Sequence, residues 1–325
     1  MTWLVWRQYR ASGAITVALL AAAAAVILAD GFQIASHWHA ILAACSGNAA
    51  CLEHTPLVNG TLGDLPYLSL VVPVVLGVLW GAPLVAHELE TRTSDFAWAQ
   101  SVTRTRWLTV KVGWLLLAAV GCGGTITALC TWWSGPDNAQ HASAFQPGHF
   151  DTQGIVPAGY AVFAMALGIA AGTVARRTLP AIAVTLGGFI ALRLVISDFV
   201  RQHYMTAVTI YYKVAGSFTP SGQAWVLAQG AVSRTGLVVP TGWGDLYPAL
   251  PATCRTLLPG TPGVKSGASL NAVFSCMQAH GWRGFITYQP ASRYWPFQGI
   301  ETGIYLLLAV ALIAVTFAVV RRRDA

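Results

Sequence analysis

Apolar residues gather in six long runs, at about 13–34, 67–87, 109–133, 156–175, 179–200 and 299–320. Each is near the roughly 20 residues that carry a helix across a hydrocarbon core at about 1.5 Å per residue. The pattern predicts an all-α integral membrane protein, a six-helix transmembrane bundle. Polar stretches mark off the rest. Residues 1–12 precede the first span, 13–200 carry spans one to five, 201–298 form a separate domain, and 299–325 hold the sixth span and a tail.

Composition agrees with this reading. Asp, Glu, Lys and Arg make up 10% of the chain and apolar residues 55%, whereas soluble proteins carry about 25% charged residues. The net charge of +7 raises the question of nucleic acid, and the placement of the cations answers it. If the N-terminus is cytoplasmic, the inside segments hold Arg7, Arg10, Arg92, Arg104, Arg106, Lys111, Arg176, Arg177, Arg321, Arg322 and Arg323, eleven of nineteen. The loops 35–66 and 134–155 hold none. Seven of the remaining eight lie in 201–298 and the eighth is Arg193. This bias is the positive-inside signal. It predicts a multi-pass protein of the cell membrane with both termini cytoplasmic, and it makes the basic charge topogenic rather than a sign of nucleic acid.

A rival reading takes Arg7, Arg10 and the "AAAAAVILA" run as a cleaved signal peptide. The apolar stretch is long for such a segment, so six spans are expected. Cysteines fit the same map. Cys45 and Cys51 fall in the first outside loop and Cys254 and Cys276 in the long outside segment, where oxidation is favoured. Disulfides Cys45–Cys51 and Cys254–Cys276 are therefore expected, the second closing an extracytoplasmic cap between spans five and six. Cys122 and Cys130 lie eight apart on one helix, about 12 Å along its axis, too far to bond. They read as packing residues.

Within the spans, Gly168 and Gly172 form a GxxxG pattern that lets helix backbones approach, and Gly187 and Gly188 carry a similar packing signal. Four ionisable residues stand at membrane depth: Asp30, Arg193, Asp198 and Glu301. Such groups are costly in lipid and are functional candidates by default. A structural pairing, such as Arg193 with Glu301 or Asp198, is weighed ahead of substrate or proton handling, and all four are also placed to snorkel outward.

Segment 201–298 has several Trp and Tyr residues, many Gly and Pro, and short possible helices; its secondary structure reads as mixed. Its "GTPGVKSG", residues 260–267, lacks the spacing of a phosphate-binding loop. His37 and His39 lack a third metal ligand at a convincing spacing and read as surface residues, so no metal site is expected. "NGT" at 59–61 matches a glycosylation acceptor. No GxSxG occurs, and no catalytic residues are assigned.

One polar stretch stands out. Residues 88–111 carry Glu88, Glu90, Arg92, Asp95, Arg104, Arg106 and Lys111, seven of the 31 charged residues. Phe96, Ala99 and Val102 recur at helical spacing, which suggests a short amphipathic helix. Trp98 and Trp107 suit an interface, and Arg104 and Arg106 suit acidic partner residues or lipid phosphates. A solvated loop that only sets topology is the plainer alternative.

The stretch resembles the signature of permease subunits of type-2 ATP-binding-cassette exporters, particularly an actinobacterial group. There a Glu, a Gly-Thr pair, an apolar-Trp segment and "QSVTRxRW" precede the third span. Here Glu90, Thr93, Ala97, Trp98, Gln100, Ser101, Val102, Thr103, Arg104, Arg106, Trp107 and Lys111 match, while Arg92 replaces the usual Gly. "WLVWRQYR" at 3–10 resembles the interfacial N-terminal helix of the same group, which implies an amphipathic cytoplasmic helix over 1–12. "YQPASRYWPFQGIETGIY" at 288–305 is similar to the group's lead into the last span.

The resemblance implies an exporter permease, not an enzyme, that forms the path for a hydrophobic or amphipathic substrate such as a drug, antibiotic, peptide or lipid. It implies that this chain binds no cofactor and that ATP and Mg bind a separate subunit. Two ATP-binding subunits and a second permease chain, a homodimer by preference, are the implied partners besides membrane lipid. Coupling is expected at 88–108, with Phe96, Trp98 and Val102 as the docking face and Glu90, Arg92, Arg104 and Arg106 as polar latches. A proton-coupled secondary transporter and a membrane-anchored sensor or binding protein are the alternatives.

Overall fold

The computed structural model describes residues 2–45, 51, 67–91, 103–141, 144–146, 148–214, 220, 224–240, 249–257 and 270–322. Two compact units emerge, one formed by 1–201 with 294–325 and the other by 202–293.

The first unit is helical. Helix α1 (Thr2–Cys45) is followed by α2 (Leu68–Leu76), a π-helical turn (Gly77–Gly81) and α3 (Ala82–Glu90). Then come α4 (Arg104–Trp133), α5 (Gly135–His141), α6 (Val156–Ala175), α7 (Thr178–Val195) with a second π turn (Ile196–Val200), and, after the other unit, α10 (Tyr294–Arg321). Six stretches are long and apolar enough to cross a membrane: Thr16–Cys45, Ser69–Glu88, Thr105–Trp133, Val156–Ala175, Thr178–His203 and Ala291–Arg321. The expected spans are all present, and four are longer than read from hydropathy, the first and last most of all. Helix α1 runs unbroken from the N-terminal stretch through residues 35–45, so His37 and His39 are exposed helical positions rather than loop. The Ala and Leu residues within 40–44 are good helix formers and carry the helix past the end of the apolar run near residue 34.

Helix α6 is the hub, packing against α2, α3, α4, α7 and α10. Its closest approach is a reciprocal one. Gly77 and Gly81 of the second span face Ala164, Met165 and Gly168 of α6, and Gly172 faces Ala82. A Cβ on Gly77 would stand 2.6 Å from the Ala164 carbonyl oxygen, and one on Gly168 would stand 2.8 Å from the Ala82 nitrogen. Backbone touches backbone here, and only glycine allows it. Gly188 meets the Leu167 side chain, whereas Gly187 meets nothing within 4 Å.

Around this crossing Leu76, Trp80, Val85, Trp107, Leu108, Val112, Met165 and Ile169 form the core. Trp80 donates from Nε1 to Thr16 Oγ1 at 2.9 Å, tying in the first span. Cys122 and Cys130 are unbonded cysteines, and Cys130 packs with Ile27 and Ile126. Exposed Leu117, Leu179, Leu307 and Val310 point outward, as lipid-facing positions should.

The π turns have local causes. Pro83 has no N–H to give, and Ala82 N–H reaches back to Gly77 O, so the ladder is rephased at the glycines. The second turn closes with Arg201 N–H on Ile196 O.

The second unit corrects the all-α expectation. It is built on an antiparallel sheet of β1 (Val208–Lys213), β2 (Trp225–Val232), β3 (Val238–Pro240) and β4 (Arg283–Gln289), in the order β1-β4-β2-β3. Two short helices, α8 (Ala252–Arg255) and α9 (Leu270–Ala279), complete it. "VTIYYK" and "RGFITYQ" are rich in β-branched and aromatic residues, which suit a half-buried pleated surface. Burial in β1 alternates from residue to residue. Both expected disulfides are present, Cys45–Cys51 and Cys254–Cys276. Cys254 of the second lies buried with Leu250, Val273, Met277 and Trp282, and Cys276 is half-buried beside them. His280 Nδ1 stands 3.8 Å from each of its sulfurs. Among the described residues this is the one trio of close metal-ligand side chains, but sulfurs joined to each other are not the thiolates a metal needs.

Candidate functional site

Two polar clusters lie at opposite ends of α6, whose 20 residues span about 30 Å.

The first gathers round Arg201. Its Nε and Nη2 donate to Glu301 Oε2 and Oε1, both at 2.8 Å, a bidentate pair. Nη2 also bonds Asp151 Oδ1, and the guanidinium carbon sits 4.5 Å over the Phe150 ring. Arg193 Nη2 donates to Asp151 Oδ2 at 2.8 Å. Tyr160 Oη lies 2.8 Å from Asp151 Oδ1 and 2.6 Å from Glu301 Oε1. Its one proton serves one carboxylate at a time, and Arg201 holds the other. Two cations thus meet two carboxylates, so the burial of Arg201, Asp151 and Glu301 leaves no net charge. Burial by itself would raise the Asp151 carboxyl, but Arg201 and Arg193 hold it below the usual aspartate value.

Neighbouring Gln298 splices the same region. Its Oε1 accepts from Ile155 N and Val156 N at 2.9 Å, satisfying the free donors at the start of α6. Its Nε2 donates to Phe150 O at 3.0 Å.

The expected pairing of Arg193 with Glu301 or Asp198 is corrected: Arg193 pairs with Asp151 and Glu301 with Arg201. The π turn explains the shift. Eight residues of regular helix would leave Arg193 and Arg201 about 80° apart, but absorbing one residue brings them within about 20°. Asp198, exposed, accepts from Ser197 Oγ at 2.8 Å. Asp30 accepts from Trp133 Nε1 at 2.7 Å, linking α1 to α4. Sequence reasoning missed Asp151 and Arg201. Asp151 sits in a loop read as outside the membrane, and Arg201 falls one residue past the fifth apolar run.

At the other end of α6 lies the 88–111 stretch. Arg92, Thr93, Phe96, Trp98, Gln100, Ser101 and Val102 lie outside the described residues, as do 59–61 and 260–267. Both flanks are described. Glu88 and Lys111 form a buried ion pair, and Lys111 Nζ stands 4.5 Å over the buried Trp107 ring. Glu90 Oε2 accepts from Thr178 Oγ1 at 2.9 Å and from Thr178 N at 3.2 Å, capping α7 from another helix. A carboxylate there also complements the positive end of the helix dipole. The side-chain bond from Thr178, then the backbone bond, lowers the Glu90 carboxyl below the ordinary value. Thr103 starts α4, accepting from Arg106 N at 3.4 Å. Arg106 is exposed, and Arg104 is the first residue of α4.

Six membrane-length helices round a glycine-faced hub, latched by charge at both ends, mark a multi-pass membrane protein. Residues 17–201, more than half of the chain, match the family model described as ABC-2 membrane transporter related. The chain belongs to that family. No curated protein and no solved structure matches it.

Proposed function

We propose that this chain is the membrane subunit of an ATP-driven exporter of hydrophobic or amphipathic solutes. In this reading ATP and Mg bind a separate ATP-binding subunit, present in two copies, and a second permease chain completes a homodimer. Both termini and the 88–108 segment face the cytoplasm of an actinobacterial cell, and 202–293 lies on the far side of the plasma membrane. Family membership supports the transport class, and the disulfides support an oxidising outer compartment.

The observation that carries the mechanism is the anchoring of 92–102 on both sides. Glu88–Lys111 joins spans two and three immediately before and after it, and Glu90 grips the start of α7. A push by a closing ATPase dimer that arrives at these flanks reaches three spans, the second and third through Glu88–Lys111 and the fifth through Glu90. Net movement further requires that nucleotide or cargo bind the two states unequally. Affinity purification of the full-length chain from its native membrane tests the reading. An ATP-hydrolysing subunit should copurify and should be lost when 92–102 is replaced by a Gly/Ser linker; purification without any such subunit would sink it.

A further inference from the structure

We propose that the 202–293 unit carries a binding cleft for a phosphate group, either on a soluble phosphate ester or on a lipid headgroup. The sequence of this unit holds six cations, Lys213, Arg234, Arg255, Lys265, Arg283 and Arg293, against one acid, Asp245. Three of the six converge on one open cleft of about 630 Å³, a volume typical of small-ligand sites.

The fold sets this convergence. Strand β1 ends at Lys213 where β4 begins at Arg283, and the two stand directly opposite in the antiparallel register. Like charges in that position destabilise a sheet. Arg234 comes from the turn between β2 and β3 and lies at the same end. Its aliphatic stem packs over Gly281, whose φ of +77° is natural for glycine; an added Cβ would stand 3.3 Å from Arg234 Cβ. The arginine is thus seated at the rim rather than loose in solvent.

Tyr211, Tyr212 and Trp282 supply the aromatic part of the lining. A single carboxylate would leave most of the local positive charge unmet. A phosphomonoester or diphosphate carries two or more negative charges, and guanidinium forks bind its oxygens in pairs. The ring faces then suit an apolar or planar remainder.

The test uses the purified full-length protein in phosphatidylcholine nanodiscs, titrated calorimetrically with inorganic pyrophosphate and, separately, with a water-soluble short-chain phosphatidic acid. Saturable binding is expected, weakened at least about tenfold by Arg234→Gln or by Lys213→Gln with Arg283→Gln. Arg255→Gln is the control, because Arg255 Nε is held by Leu250 O at 2.8 Å; it should leave binding unchanged. Preference for pyrophosphate identifies a soluble ester, and preference for the lipid identifies a headgroup. If neither probe binds, or if the cleft variants bind like the parent, the inference is overturned. Should the double variant misfold, the exposed Arg234 substitution alone gives the same reading. This outcome is independent of whether an ATPase copurifies.

Discussion

Arg201 and Glu301, one hundred residues apart in sequence, meet through two parallel hydrogen bonds of 2.8 Å in a buried setting. Removing one partner strands the other's charge. Arg201→Met should therefore destabilise by about 3–5 kcal/mol, while Arg201→Met combined with Glu301→Leu should recover most of the loss. Arg193 remains to balance Asp151 in the double variant. Thermal melting of detergent-purified protein checks the order: a double variant no better than the single would contradict it.

The glycine crossing gives a second prediction. Gly168→Ala places a methyl group against the Ala82 nitrogen and the Gly77 carbonyl, and it should cost about 1–3 kcal/mol by overpacking. Gly187→Ala meets open space and should be neutral or stabilising by up to about 1 kcal/mol. Equal melting temperatures for the two variants would refute the described packing.

Acid should reveal Asp151. Its carboxyl is lowered in the folded chain, because the two arginines outweigh burial, so the unfolded state binds the proton more readily. The stabilisation is complete above the unfolded value of about 3.9 and is lost as pH falls through the lower folded value. Asp151→Asn should flatten that acid limb in a melting-versus-pH series and lower stability at neutral pH.

Coupling is testable at the segment between spans two and three. Arg104→Glu with Trp98→Ala should leave ATP hydrolysis by the assembled complex running while transport into inverted vesicles stops. Glu90→Gln weakens the cap on α7 and should reduce the ratio of transport to hydrolysis without abolishing either. Tight coupling in both variants would dismiss the assignment.

Sidedness can be read with thiols. After gentle reduction, the half-buried Cys276 should react with an impermeant maleimide on intact cells, whereas a cysteine introduced at Trp98 should react only after permeabilisation. The reverse pattern would invert the topology.

Much of this architecture was legible in the chain because lipid imposes a blunt rule: long apolar runs must be helices. Gly168 and Gly172 announced a close contact, yet their partners Gly77 and Gly81, with the same spacing, passed unread among bulky neighbours. The disulfides followed from position alone. Less accessible were the ion partners. Asp151 and Arg201 belong to stretches that hydropathy assigns to loops, and pairing over a hundred residues leaves no local trace. The sheet of 202–293 was hidden for a related reason: β1 and β4 are short strands that pair across about 70 residues of chain, and burial in β4 does not alternate.

Where Gly77 and Gly81 lie on the Ala164–Gly168 stretch and Gly172 lies on Ala82, two neighbouring rods sit closer than side chains at those points would allow. Movement between those rods would have to carry the flanking Leu76, Trp80, Met165 and Ile169 with it, and the charged latches at the two ends of α6 would set how far it travels.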